Sequence, residues 1–186
     1  MTRSVVAKVV ATIAVIAAAA LVWHALPFNT QIYAPFDVRA PIGTPAEGRS
    51  ITAKVEGAQL TKTLIPSFGQ PIPALGTWVV VDTAVSAGST NAIYRADLLV
   101  GPNSYFTSDR VLTPANQVQP GITDHRQLVF DVATDVLDRV DSVVLRIFPW
   151  DARLDSRLVL DIPLSSDRVQ RPESVSISVA AVREAS

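Results

Sequence analysis

Beyond an N-terminal apolar stretch the sequence holds one histidine, His125, set between Asp124 and Arg126 and followed by the alternating run Leu128 to Val132. Imidazole exchanges a proton near neutrality, so a serine hydroxyl and a carboxylate brought to His125 would make a hydrolase. No G-x-S-x-G elbow occurs, however. Asp124-His125 directly after Pro120-Gly121 reads as solvated loop, and no catalytic residue is assigned.

Asp131, Asp135, Asp138 and Asp141 recur at steps of four, three and three, which would set carboxylate oxygens near a hard cation such as calcium. Arg139 stands among them, no D-x-D-x-D-G loop is present, and Asp at strand ends and caps is ordinary turn chemistry. No metal is expected. Tyr94, Tyr105 and Phe106 would line a small-ligand cleft, but Tyr94 shares the register of Ala96 and Leu98 and so belongs to a core.

The sharpest feature is Arg146-Ile147-Phe148-Pro149-Trp150-Asp151, with Arg153 beyond it. If Ile147 points inward, alternation turns Phe148 outward, and Trp150 leaves the strand beside two arginines. Trp, Phe and Arg are the types enriched at interface hot spots. A Trp at the end of a strand either caps a core or anchors a partner, and Phe148, Trp150 and Arg153 are the candidate partner-binding residues.

The elements that must position these groups follow from composition and period. The chain has 186 residues, 48% apolar and 18% charged, enough for one core and too apolar for disorder. A net charge of −1 excludes the basic field of a nucleic-acid binder, so no nucleic-acid partner is expected. Cysteine is absent, which removes disulfides, thiolate metal sites and a lipid-bearing cysteine.

Val9 to Leu26 carries no formal charge, and its 18 residues make about 27 Å of helix at ~1.5 Å each, enough to span the hydrocarbon of a bilayer. Arg3 and Lys8 precede this run and the next basic residue is Arg39, so the N-terminus is expected in the cytoplasm and the rest outside the plasma membrane. Trp23, Phe28 and Tyr33 suit an outer interface, as does His24. Ala18-x-Ala20 leaves a cleaved signal peptide as the alternative to a single-pass signal anchor.

Residues 27–47, with Pro27, Pro35, Pro41 and Pro45, predict a stalk with one edge strand at 36–40. Past Gly48 the period is two. It runs through Ile51, Ala53 and Val55, then Tyr94 to Val100, Leu128 to Val132, Val143 to Ile147 and Leu158 to Leu164, while Trp78 to Val81 is apolar on both faces. With turns at Gly88, Gly101-Pro102, Pro120-Gly121 and Pro149, this predicts an all-β fold, a β-sandwich at 48–164 after one transmembrane helix in residues 1–26. An extension at 165–186 holds one strand around Val175, Ile177 and Val179, and Asp135 to Val140 holds one helical turn capped by Asp135.

Gly48-Arg49-Ser50-Ile51, then Gly76-Thr77-Trp78-Val79-Val80-Val81-Asp82, Leu98-Leu99-Val100-Gly101 with Tyr105, Gln119-Pro120-Gly121 and Leu128-Val129-Phe130-Asp131-Val132 resemble, in order and spacing, the telokin-like, immunoglobulin-type domain of bacterial exported proteins and lipoproteins. The resemblance covers Phe36 to Leu164. It implies an immunoglobulin-like sandwich in an extracytoplasmic setting, with no catalytic motif to carry over. The chain departs from the pattern by its anchor and by residues 165–186. Thirteen Arg against three Lys, with abundant Ala, suit a GC-rich source such as an actinobacterium.

The function expected is therefore that of a membrane-anchored, extracytoplasmic protein-interaction or accessory module of the cell envelope, without catalysis or cofactor. The rival readings are a binding domain for a small envelope ligand, a lipid or glycan fragment, which needs a sizeable apolar pocket, and an envelope hydrolase built on His125. Alkaline phosphatase fused after Leu26 or Ser186 is expected to be active, with residues 1–20 retained in carbonate-washed membranes; activity only from a cytoplasmic reporter at the same points refutes the orientation.

Overall fold

The computed structural model describes residues 3–25, 34–111, 116–153, 155–177 and 181–184. The chain divides into two units, Met1–Ala34 and Pro35–Ser186. In the first, helix α1 spans Arg3–Ala25. Its stretch Val5–Ala25, of 21 residues and mean hydropathy 2.6, is long and apolar enough to cross a membrane. It is apolar all round, and a helix of that kind needs an apolar surrounding on every side. Thr12 fits there because its hydroxyl donates to the Lys8 carbonyl at 2.9 Å. Phe28 and Tyr33 lie outside the described residues.

The second unit is a β-sandwich. Its strands among the described residues are β1 (Phe36–Pro41), β2 (Ala46–Glu47), β3 (Ile51–Pro66), β4 (Ile72–Ala87), β5 (Ala92–Val100), β6 (Asn103–Phe106), β7 (Gln117–Val118), β8 (Ile122–Val132), β9 (Ser142–Pro149), β10 (Ser156–Pro163), β11 (Val169–Gln170), β12 (Ser174–Ile177) and β13 (Ala181–Glu184). One sheet, A, runs β1-β10-β9-β5-β6 with β7 also on β5; the other, B, runs β11-β3-β4-β8-β13 with β2 and β12 also on β3. Neighbours are antiparallel except β1 on β10 and β11 and β12 on β3, which are parallel.

The alternation read from the sequence is the alternation of the core. Tyr94, Ala96, Leu98 and Val100 of β5, Leu145 and Ile147 of β9, and Leu158, Leu160 and Ile162 of β10 face Val55 of β3, Val79 and Val81 of β4, and Leu128, Phe130 and Val132 of β8. Trp78 and Val80 point the other way, into a second cluster on the outer face of sheet B with Leu64, Val129, Val111, Val175 and Ile177. The Trp78 indole N–H donates to the Ile72 carbonyl at 3.1 Å and the Arg110 guanidinium lies 5.0 Å from its ring centre. Gly76 allows β4 to start close against β8: a Cβ there would lie 2.1 Å from the Val132 carbonyl oxygen.

Four local expectations are revised. Residues 36–47 carry β1, the edge strand expected at 36–40, and also β2, where the prolines predicted stalk; an edge strand is the place in a sheet that tolerates Pro41. The extension at 165–186, read as one strand, carries β11, β12 and β13, of which the first two are too short to show a period; Val179 lies outside the described residues. The helical turn, α2, is Thr134–Leu137, and it starts from Ala133 with no side-chain cap, because Asp135 lies within the turn and pairs with Arg139. Asp124 and His125 are not loop: Gly121, at φ +76°, completes the turn, and β8 begins at the next residue. Phe130→Ala is expected to cost about 3–5 kcal/mol, a large share of a domain's stability, by leaving a cavity between the sheets; an unchanged melting temperature refutes the inward register of β8.

Candidate functional site

The strands of sheet A send their second set of side chains away from the core. Register places Phe106 of β6, Asp97 of β5, Arg146 of β9, Val159 of β10 and Arg39 of β1 in one row across that outer face. Asp97 is only 4% exposed. A carboxylate so enclosed needs its charge matched, and Arg146 grips both its oxygens, the Nε–Oδ1 contact measuring 2.8 Å, while Ser104 donates its hydroxyl at 3.0 Å. That hydrogen-bonded carboxylate raises the pKa of Arg146 further. One row on, Arg157 Nε donates to Asp37 Oδ1 at 2.7 Å, and this bond holds the Asp37 carboxyl below its usual range.

On this charged frame stand exposed aromatic rings. Phe106 is 75% and Trp150 65% exposed, with Phe148 half-buried between them in the pattern of the face. The Arg95 guanidinium stacks 3.5 Å from the Trp150 ring centre. Trp150 does not cap the core, because Pro149 takes the last inward position of β9 opposite Tyr94, and Tyr94 already fills that end of the sandwich. Of the three residues picked out from the sequence, Phe148 lies on the face opposite Arg95 and Trp150 lies under Arg95. Arg153 is in the loop, where it makes two bonds of 2.8 and 2.7 Å to Asp151 and pulls that carboxyl down to about 2.

His125 projects from the opposite side of the molecule, the outer face of sheet B. Its Nδ1 lies 3.0 Å from Glu56 Oε2, Glu56 being the extra residue of a bulge between Val55 and Gly57. The two line an open groove of about 590 Å³ with Gln59, Asp82, Gln127 and Arg168. Gln59 and Gln127 each donate an amide N–H to one oxygen of Asp82, both at 3.1 Å. The groove lining includes no serine among the described residues, and the Thr83 hydroxyl is turned to the Arg126 carbonyl at 3.0 Å.

The neighbours of His125 point inward instead. Asp124 and Arg126, both buried, continue the register of Leu128 and Phe130 and form an ion pair inside the sandwich. Arg126 also donates to Asn116 Oδ1 at 2.8 Å and lies 5.8 Å from the Tyr94 ring centre. The Tyr94 hydroxyl has no hydrogen-bond partner among the described residues. Burial pushes its pKa up, Asp124 adding to the rise and Arg126 opposing it.

The four spaced aspartates do not converge. Asp131 accepts the Leu75 and Gly76 N–H groups at 3.0 Å each and Arg110 at 2.7 Å, so it pins the start of β4, while Asp135 pairs with Arg139 at 3.3 Å. Among the described residues no three His, Asp or Glu side chains are grouped as metal ligands. Tyr105 is packed against the core edge, apart from the exposed Phe106. At the far end of the sandwich an open cleft of about 800 Å³ is lined by Leu60, Leu137 and Leu164 with Lys62, Arg171 and Glu173. Lys62 Nζ is spent on the Gly76 carbonyl and on the Thr77 and Thr134 hydroxyls, at 2.8, 2.8 and 2.9 Å. Sequence reasoning missed Arg95, Asp97 and Glu56; opposite charges at outward positions of two alternating strands were the signal for the Asp97–Arg146 pair.

Tyr94→Phe is expected to leave the melting temperature at pH 7 unchanged or raised, since it removes an orphaned hydroxyl at constant shape. Above about pH 10 the unfolded chain releases the tyrosine proton while the folded one keeps it, so the Tyr94 contribution is full below pH 10 and is lost as pH rises further. The variant is therefore expected to resist alkaline unfolding better than the parent; a lower melting temperature at pH 7 refutes the orphaned hydroxyl.

No protein-family model and no curated protein matches the chain. Among solved structures it is similar to the crystal structure of an uncharacterised β-sandwich protein from Clostridium difficile 630, at 10% identity and a TM-score of 0.46, over 68% of this chain and 95% of that one.

Proposed function

We propose that the chain is a membrane-anchored interaction module of the cell envelope: α1 crosses the plasma membrane with its N-terminus inside, and the sandwich, of the telokin-like, immunoglobulin type, stands outside and offers sheet A to an envelope protein. The orientation is supported by Arg3 and Lys8 before the apolar stretch and by the wait until Arg39 for the next basic residue. The domain type is supported by the order of the WVVVD, Pro-Gly and LVFDV segments, which fall on β4, the β7–β8 turn and β8.

One observation carries the interaction reading. The outer face of sheet B is partly closed by its own cluster around Trp78, whereas the outer face of sheet A carries Phe106, 75% exposed, and Trp150, 65% exposed, beside arginines. Rings and guanidinium groups held in place by a rigid sheet lose little entropy on binding, and these types dominate hot spots. The Asp97–Arg146 and Asp37–Arg157 pairs hold the arginines of that face in fixed positions. A tether adds effective concentration for neighbours in the same membrane. No chemical step is assigned to His125, whose partner is Glu56.

An Arg95→Glu, Phe106→Ser double variant is expected to fold with a melting temperature close to the parent's and to lose its crosslinked neighbours in intact cells, while His125→Ala keeps them. Retention of every crosslink by the double variant overturns the sheet A reading; loss of cellular phenotype in His125→Ala alone reopens the hydrolase.

A further inference from the structure

Sheet A ends at β1, whose other side meets no strand among the described residues. The Phe36 N–H donates to the Asp155 carbonyl at 2.8 Å and the Ile42 N–H to the Asp161 carbonyl at 2.9 Å. Backbone groups alternate in direction along a strand, so the even-numbered residues of β1 bond to β10, and the N–H and C=O groups of Asp37 and Arg39 point away from the sheet. Pro35 and Pro41 on either side have no N–H, and the Pro41 carbonyl already accepts from Thr44 at 3.1 Å. Two donors and two acceptors are left at this edge, a template for one more strand. The six residues of β1 also make a longer open edge than the two of β2 and β11 or the four of β6, β12 and β13.

Asp37 and Arg39 decide which strand fits. Both are exposed. Asp37 accepts Arg157 through Oδ1, and Arg39 makes no ion pair among the described residues. An antiparallel second copy of β1 has three symmetric registers that turn the edge groups towards each other. Centred on Asp37, it opposes two aspartates and brings Arg39 to Pro35; centred on Arg39, it opposes two arginines and brings Asp37 to Pro41. Each sets like charges face to face and loses bonds at a proline. Centred on Val38, it sets Asp37 of each copy opposite Arg39 of the other as hydrogen-bonded pairs, so every edge donor meets an acceptor and every charge its opposite. The same register lays Phe36, 64% exposed, against Ala40 of the second copy, at a non-hydrogen-bonded pair where side chains are closest.

We propose that β1 is the seam of a homodimer: two copies of this chain pair their β1 strands antiparallel about Val38 and continue sheet A through both sandwiches. The pairing uses the sandwich unit alone and goes beyond the function proposed above, since Phe106 of the aromatic face lies on β6, at the opposite edge of the sheet.

The chain holds no cysteine, so a single introduced one reports a single position. The test uses the full chain in dodecylmaltoside micelles under a mild oxidant. Val38→Cys puts the two thiols on the symmetry axis, with Cα atoms about 4.5 Å apart, within the span of a disulfide. Phe36→Cys puts them about 13 Å apart along the strands, beyond that span. Val38→Cys is expected to give disulfide-linked dimer in about tenfold higher yield than Phe36→Cys. Adding Arg39→Pro, which removes an edge N–H and no bond to β10, is expected to lower that yield about tenfold with little change in melting temperature. Adding Arg39→Asp, which opposes two carboxylates, is expected to do the same, and Arg39→Lys to preserve the yield.

Equal yields from Val38→Cys and Phe36→Cys, or no linked dimer from Val38→Cys, overturn the proposal. So does a Val38→Cys yield that Arg39→Asp leaves unchanged, a result that stands even where Arg39→Pro lowers the melting temperature.

Discussion

Strand β4 is buried on both faces, and the rest of the sandwich is arranged by what must cover them. Val79 and Val81 require sheet A, which supplies Leu98, Leu145 and Leu160. Trp78 and Val80 require a second cover, and among the described residues β12 and Val111 provide it, with the Arg110 guanidinium over the indole. At about 25 cal/mol per Å² of apolar surface, a tryptophan and a valine left in water would forfeit several kcal/mol. The C-terminal strands are therefore part of the fold, since β12 contributes Val175 and Ile177 to that cover.

An asymmetry follows. Sheet A has one apolar face and one face of arginine, aspartate and aromatic side chains, and the charged pairs of the sandwich unit differ in kind. Asp97 with Arg146 and Asp124 with Arg126 are enclosed, so that removing one partner would strand a charge at a cost of about 3–5 kcal/mol, whereas the exposed Asp135–Arg139 pair is worth well under 1 kcal/mol. The apolar positions fix register: a slip of one residue in β8 would turn Leu128 and Phe130 to solvent.

Much of this was legible in the sequence. Tyr94 to Val100, Leu128 to Val132 and Leu158 to Ile162 alternate because one face of each meets the core, and the double-sided run Trp78 to Val81 marked the centre of a sheet. Asp124 and His125 were misread as loop because charge at the inward positions Asp124 and Arg126 hides a strand whose apolar half begins only at Leu128. Phe148 and Trp150 stood out by type, but their partner Arg95 is fixed by the pairing of β5 with β9, which no local pattern states. Glu56 reaches His125 through a bulge, and single-strand periodicity does not show a bulge.

The parallel pairing of β1 with β10 has a mechanical side. Six residues, Phe36 to Pro41, lie along β10 in continuous register. A pull on the chain before Phe36, directed along the strand and opposed from the far end of the sandwich, loads those backbone bonds in shear, so they must fail together. A pull across the sheet would open them one after another, at much lower force. The edge strand next to the connection thus acts as a clamp whose strength depends on the direction of load, and its rupture would be governed by the unfolding rate.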